Sequence, residues 1–489
     1  MVRLHLLPQD RQAIMQHGGR GAALERSREC GRSAQERKAQ CCCQNSRHRA
    51  FPTFSAPGWR PGPEPNLNKT SRLGPLRDEP KVATNRSCLQ KGAFAALSSS
   101  RPRPGPRHRR TNWIVLMTGR PERLLIVDAC RGLALATIFI NHVPGTLFER
   151  FTHKNFGLSD SAEIFVLLAG FAAALAYLRP FRDGDVARQT FRMVSRAVQI
   201  YTAHLAVIAI CGALVAWASL ALQDPRVLEA MNFDAVVAAP IESMVGIAAL
   251  GLQPSYLNIL PLYVVLLLMA PALMALVALN RWAALAVSAA IYGAAQAGFT
   301  PPSYPGMGQA WFFNPFAWQL LFTTGLCMGA AVIDKRPLRL PRAVLPLSVA
   351  YLLFGLVWRQ LEIYPDGVFG LPRFLWDDDK HLLSLPRFLH VLSLTVVASS
   401  LPVETWLRRT PWTAPLGWLG RHSLPVFCVG TILAICGQML RIAGDGDVRV
   451  DVAIIVGGLV LQIGLAWALE WNRSGASARV VPGLAQPQR

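Results

Sequence analysis

Charge is scarce in this chain, and negative charge scarcest: Asp, Glu, Lys and Arg make up 16% of the 489 residues, with 29 acids against 50 bases. So low a charged fraction beside 52% hydrophobic residues excludes an ordinary soluble enzyme of this length. Cysteine is too sparse and too irregularly spaced for a disulfide framework or a zinc site. Cys30, Cys41, Cys42, Cys43 and Cys88 lie near the N-terminus without paired two-residue spacing. Cys130, Cys211, Cys327, Cys428 and Cys436 stand singly in apolar stretches, as small buried hydrophobes do. No metal site is expected. The N-terminus lacks a basic start leading into an apolar run and a small-residue cleavage site, so no secretory leader is expected. No internal repeat is evident.

The net charge of +21 is unevenly divided: residues 1–116 hold 22 Lys/Arg against 7 Asp/Glu, the remainder 28 against 22. Residues 1–116 are rich in Arg, Pro, Ser and Gly and show neither helical nor strand periodicity, so they are expected to be a disordered basic tail. The favoured reading is that they are an extension upstream of a true start at Met117, which leads directly into the first apolar run. Arg-rich segments such as Arg101 to Arg110 lack the interleaved aromatics of a nucleic-acid surface, and no nucleic-acid partner is expected. The division read here is 1–116, a membrane domain at 117–475, and a short tail at 476–489.

A window of about 20 residues finds ten apolar spans, at 123–143, 160–178, 197–220, 256–279, 281–299, 315–333, 342–361, 385–403, 415–438 and 450–471. The expected fold is therefore an all-α, polytopic integral membrane bundle of about ten helices, with the lipid bilayer as its first partner. Segment 224–252 is apolar but interrupted by Pro240 and Glu242, and reads as interfacial or re-entrant. Alternate connections hold fifteen and nine Lys/Arg. The positive-inside bias then places both termini in the cytoplasm, His142 near the outer face and Asp128 and Arg131 nearer the inner one.

Within the first span, Asp128, Arg131 and His142 share one helix face, with Arg131 and His142 about 20° apart in projection and roughly 16 Å apart along the axis. Ionisable groups at membrane depth are rare and mark a functional site. Span two opens Ser159-Asp160-Ser161-Ala162-Glu163, at the depth expected for His142. A carboxylate there would orient the imidazole and raise its basicity, as a general base needs; the other reading is a helix cap, with Glu163 completing a capping box. Arg192 and Arg196, four apart, suit phosphates, although arginines at a cytoplasmic helix end also satisfy topology alone. Tyr201 and His204 lie further in, where polar residues commonly bond between helices. Asn314 and Gln319 offer uncharged hydrogen bonding beside aromatic anchors. Lys380, Arg387 and His390 follow the acidic run Asp377 to Asp379 and could hold an anionic acyl group or polar acceptor, while Arg421 and His422 place two more ionisable groups in an apolar stretch.

These residues resemble the OpgC family of membrane acyltransferases, related to the broader acyltransferase-3 group. The resemblance is carried by Asp128-x-x-Arg131-Gly132 with His142 after ten intervening residues, Gly157-x-Ser159-Asp160-x-Ala162-Glu163, Arg196 with Tyr201 and His204, and Leu260-Pro261-Leu262-Tyr263. Asn314 to Gln319, Asp379-Lys380 with Arg387 and His390, and Leu419-Gly420-Arg421-x-Ser423 complete it. It covers 120–470 and departs from the family pattern at Leu168-Ala169-Gly170, where a Ser-Gly pair is common. It implies a ten-span protein of the bacterial inner membrane that moves a succinyl or similar group from acyl coenzyme A, as co-substrate, to a hydroxyl of a periplasmic or envelope glycan. His142, Glu163, Asp128 and Arg131 would be catalytic. Arg192, Arg196, Tyr201, His204, Asn314, Gln319, Lys380, Arg387, His390 and Arg421 would bind substrate. The alternative class is a transporter or flippase of an anionic or glycan substrate, for which intramembrane charges mark a path. Oligomeric state is not legible in the sequence.

Overall fold

The computed structural model describes residues 113–116, 124–303, 311–336, 338–361, 377, 379–444 and 446–479. The expected tail falls outside these except at Trp113–Leu116, expected to be irregular but found as strand β1, antiparallel to β2 (Leu338–Pro341). Four β-prone residues gain a backbone partner there. The acidic run is described at Asp377 and Asp379 only.

The described residues are otherwise helical. They form α1 (Leu125–Asn141), α2 (Ser161–Arg182), α3 (Val186–Leu222), α4 (Arg226–Ala230), α5 (Asp234–Ala238), α6 (Pro240–Ala248), α7 (Ile259–Leu279) and α8 (Arg281–Gln296). There follow α9 (Pro315–Ile333), α10 (Val344–Gln360), α11 (Leu385–Ser400), α12 (Val403–Arg409), α13 (Ala414–Arg421), α14 (Ser423–Ala443) and α15 (Val448–Arg479). Each expected span corresponds to a helix. Six of them are long and apolar enough to cross a membrane, or seven if the bent pair α11 and α12 counts as one. The count of ten is not confirmed among the described residues: α1 and α10 have 17 residues and α8 and α11 have 16, at or just below the shortest crossing helices. The expected span 415–438 is broken at His422, which leaves α13 as a separate short helix.

Packing follows from small residues. Gly132 and Gly420 let α1 and α13 touch backbone to backbone, since a Cβ would fall 1.9 Å from the Leu416 carbonyl oxygen and 1.8 Å from that of Asp128. Gly170 and Gly325 do the same for α2 and α9, with Cβ positions 2.0 and 2.1 Å from opposing carbonyl oxygens. Without a hydrophobic force between helices in lipid, such close approach supplies the association energy. Helix α9 is accordingly the most enclosed, with Trp318, Leu321 and Phe322 fully buried. Helix α3 instead exposes Phe191, Trp217 and Leu220 along an apolar face suited to lipid. A π-turn at Ala174–Leu178 precedes Pro180, whose missing N–H cannot continue the ladder.

The interrupted segment 224–252 forms the three short helices α4 to α6. Ser219 Oγ donates to the Asp224 carbonyl at its start, and Tyr201 Oη donates to the Ala248 carbonyl at its end. Those contacts on α3 are separated by about 27 Å of helix rise, so the segment turns back along α3.

Candidate active site

Asp160 is extended and precedes the first residue of α2, so its side chain folds back as a cap. Its Oδ1 accepts from the Ala162 amide at 2.7 Å, and Glu163 Oε2 accepts from the Asp160 amide at 2.9 Å. The capping box is therefore real, yet these carboxylates do more than cap. Arg387 Nε donates to Glu163 Oε1 at 2.7 Å, Arg387 Nη2 lies 3.5 Å from Asp160 Oδ2, and Lys380 Nζ lies 2.5 Å from the same oxygen. Glu163 is 0% and Arg387 5% exposed. A pair this buried survives only when both charges stay and their remaining lone pairs and protons are satisfied, and the capping box meets that need for Glu163.

One turn on from Arg387, His390 brings Nδ1 within 2.7 Å of Ser159 Oγ. Its ring fits a notch that only glycine leaves open, because a Cβ on Gly157 would stand 2.2 Å from Nε2. The His153 ring lies 6.2 Å away, centroid to centroid. His390 Nε2 and both ring nitrogens of His153 are buried without a hydrogen-bond partner among the described residues. Burial pushes the His153 imidazole below its ordinary range.

His142 ends α1, with its ring 5.0 Å from that of Tyr256. Its carbonyl accepts from Gln438 Nε2, and the carbonyls of Pro144 and Gly145 accept from Arg441 Nη1 and Nη2. Arg441 Nε in turn donates to the buried Asp451 carboxylate at 2.8 Å. Helices α14 and α15 thus clamp the peptide on which His142 sits. The expectation that Glu163 orients His142 needs correction: Glu163 Oε1 accepts from Arg387 and Oε2 from the Asp160 amide, so both oxygens are engaged away from the imidazole.

Deeper along α1, Arg131 Nη2 donates to Ser423 Oγ at 3.0 Å and its guanidinium lies 5.7 Å from the Phe165 ring centroid. Asp128 is buried one turn away. Beside Arg131, a cavity of about 20 Å³ is lined by Phe165, Arg196, Tyr263 and Ser423, among others; it has room for about one water.

The other expected residues are engaged elsewhere. Arg192 is exposed, bonded to Gln189 at 2.9 Å and stacked 5.4 Å from Tyr177, while Arg196 bonds Gln199. Tyr201 holds the end of α6, and His204 is wholly buried with neither nitrogen bonded among the described residues. Asn314 caps α9, and Gln319 ties α9 to Ser288 of α8 through Ser288 Oγ and the Ser288 carbonyl. Arg421 Nη1 lies 3.4 Å and His422 Nε2 2.9 Å from the Glu470 carboxylate. Sequence reasoning quoted Ser159 without giving it a role, and proposed no site role for His153, Lys154, Tyr256, Gln438, Arg441, Asp451 or Glu470. Gln438 and Arg441, three apart in an apolar helix, were a signal of the same kind as Arg131.

Residues 123–474 match the family described as OpgC protein. The chain belongs to the OpgC family. No curated protein and no solved structure matches it. In this OpgC family member the match runs from α1 into α15, so the His142 end, the buried ion pairs and the Arg131 region all lie within it. Membership suggests a membrane acyltransferase-like function on glucans.

Proposed function

We propose that this OpgC family member is an O-acyltransferase that moves an acyl group, succinyl or similar, from acyl coenzyme A at the cytoplasmic face to a glycan hydroxyl at the outer face of the bacterial inner membrane. The observation that carries the reading is His142 within the family match: an imidazole at a helix end, packed on the Tyr256 ring, with the peptides at 142, 144 and 145 held by Gln438 and Arg441. A neutral imidazole there takes the proton from the acceptor hydroxyl as the oxygen attacks the thioester carbonyl, and later releases it to the departing thiolate. Lys380 and Asp160 pair with each other at the start of α2. Glu163 and Arg387 act as positioning residues that fix α2 against α11. Arg131 and Arg196 flank the route between the two faces, roughly 16 Å of helix rise below His142 in the case of Arg131, a span suited to an extended thioester arm.

Mass spectrometry of envelope glycans from cells with and without the gene tests this directly. The proposal expects an acyl mass increment on a glycan that disappears when the gene is removed. Unchanged acylation, together with movement of unmodified glycan across vesicles containing the protein, would establish a carrier instead.

A further inference from the structure

The junction at His422 separates two cavities. On one side Ser423 lines the small cavity with Arg196 and bonds Arg131. On the other, Arg421 lines a cleft of about 360 Å³ between α12, α13 and the start of α1, together with Leu125, Ala129, Arg408, Thr410 and Ala414. This size falls in the range of small-molecule sites.

The chemistry of its lining is one-sided, with two guanidiniums and no carboxylate. The acids stand behind them. Glu404 pairs with Arg408 at 2.7 Å while accepting from the Ile126 amide at 2.8 Å, which fixes α12 to the start of α1. Glu470 holds Arg421 and His422 from α15. Arg421 Nε is left buried without a partner among the described residues. Helix α13 also begins at this cleft, where Thr413 and Ala414 line it and Thr413 makes no side-chain cap. On the rim, between the cleft residues Pro411 and Thr413, Trp412 is 73% exposed and meets Trp406 edge to face at 5.8 Å. An exposed indole of this kind offers a stacking face for a purine base.

We propose that this cleft binds phosphate, and that its occupant is the phosphorylated nucleotide end of the acyl donor, held by Arg408 and Arg421. The inference rests on the acyl-donor reading above and deepens it, since it moves the phosphate contacts away from Arg192 and Arg196. From the cleft, the donor's arm passes the α13–α14 junction toward Ser423 and Arg131.

The test is calorimetric titration of the full chain in phosphatidylcholine nanodiscs with coenzyme A and with adenosine 3′,5′-bisphosphate. Arg408→Gln and Arg421→Gln should each weaken both ligands about ten- to a hundred-fold, the loss of one charge-assisted hydrogen bond, while Arg188→Gln, exposed on α3, should change neither. Arg408 is exposed enough that its variant tests binding even if Arg421→Gln fails to fold. If Arg192→Gln or Arg196→Gln weakens binding and the cleft variants do not, the inference is overturned and the donor reading stands. If the wild type binds neither nucleotide, the donor reading falls with it. If the cleft variants leave nucleotide affinity intact but lose retention of phosphatidylglycerol in mixed nanodiscs, the cleft is a lipid headgroup site and the proposal is wrong.

Discussion

Replacing Arg387 by Met while leaving Glu163 in place strands a carboxylate that has no exposure and whose ion pair among the described residues is with that guanidinium. Removing one member of a buried pair costs about 3–5 kcal/mol, because the desolvated charge that remains has nothing to offset it. Replacing both should cost far less. Glu163→Gln keeps an oxygen for the Asp160 amide and so preserves the capping bond, while Asp160 retains Lys380. The double variant Glu163→Gln with Arg387→Met should therefore recover most of the stability lost by Arg387→Met alone, with a coupling term of about 2 kcal/mol or more. Thermal unfolding of the purified protein in detergent, measured for the wild type, both single variants and the double, closes this cycle. Additive effects of the two substitutions, or a single Arg387→Met variant as stable as the wild type, would refute the buried-pair argument.

Gly420→Val should prevent assembly of α13 against α1, because its side chain would enter the Asp128 carbonyl, and the folded fraction on size-exclusion chromatography should collapse. Arg441→Lys, which loses the fork spanning Pro144 and Gly145, should lower kcat by up to about 10²-fold with KM little changed, whereas an equal fall in folded yield would assign Arg441 a structural role only. Burial lowers the His153 pKa from its ordinary value of 6.5, so the unfolded chain binds the proton more readily and stability should fall as pH drops below about 6.5 toward the lowered folded value. His153→Gln should flatten that dependence in unfolding temperatures measured from pH 7.5 to 5; an unchanged slope would place the pH sensitivity elsewhere.

The apolar segments were legible because a run near the length of a bilayer crossing has few other uses, and each became helical, the ninth as two helices. Their exact number was not, since α1, α8, α10 and α11 are helices of only 16 or 17 residues. The break at His422 was hidden because Gly420, Arg421 and His422 interrupt a pattern that is otherwise continuous. At the site, local sequence announced a carboxylate too deep to be idle at Glu163, but its partner lies 224 residues away, and no periodicity could name Arg387 over His142. Asp160 shows the same limit from the other side: its capping role was visible locally, while its ion pair with Lys380 required tertiary contact. Glu470, alone near the end of an apolar helix, carried a readable signal, and Arg421 and His422 were the polar groups waiting for it.

The most direct measurement is acyl transfer by His142→Ala reconstituted in proteoliposomes, with labelled acyl coenzyme A on one side and glycan acceptor on the other. With insertion and folding matched to the wild type, turnover should fall by about 10² to 10⁴-fold, the usual contribution of a general base. Near-normal turnover in that variant would contradict the assignment of proton transfer to the imidazole at the end of α1.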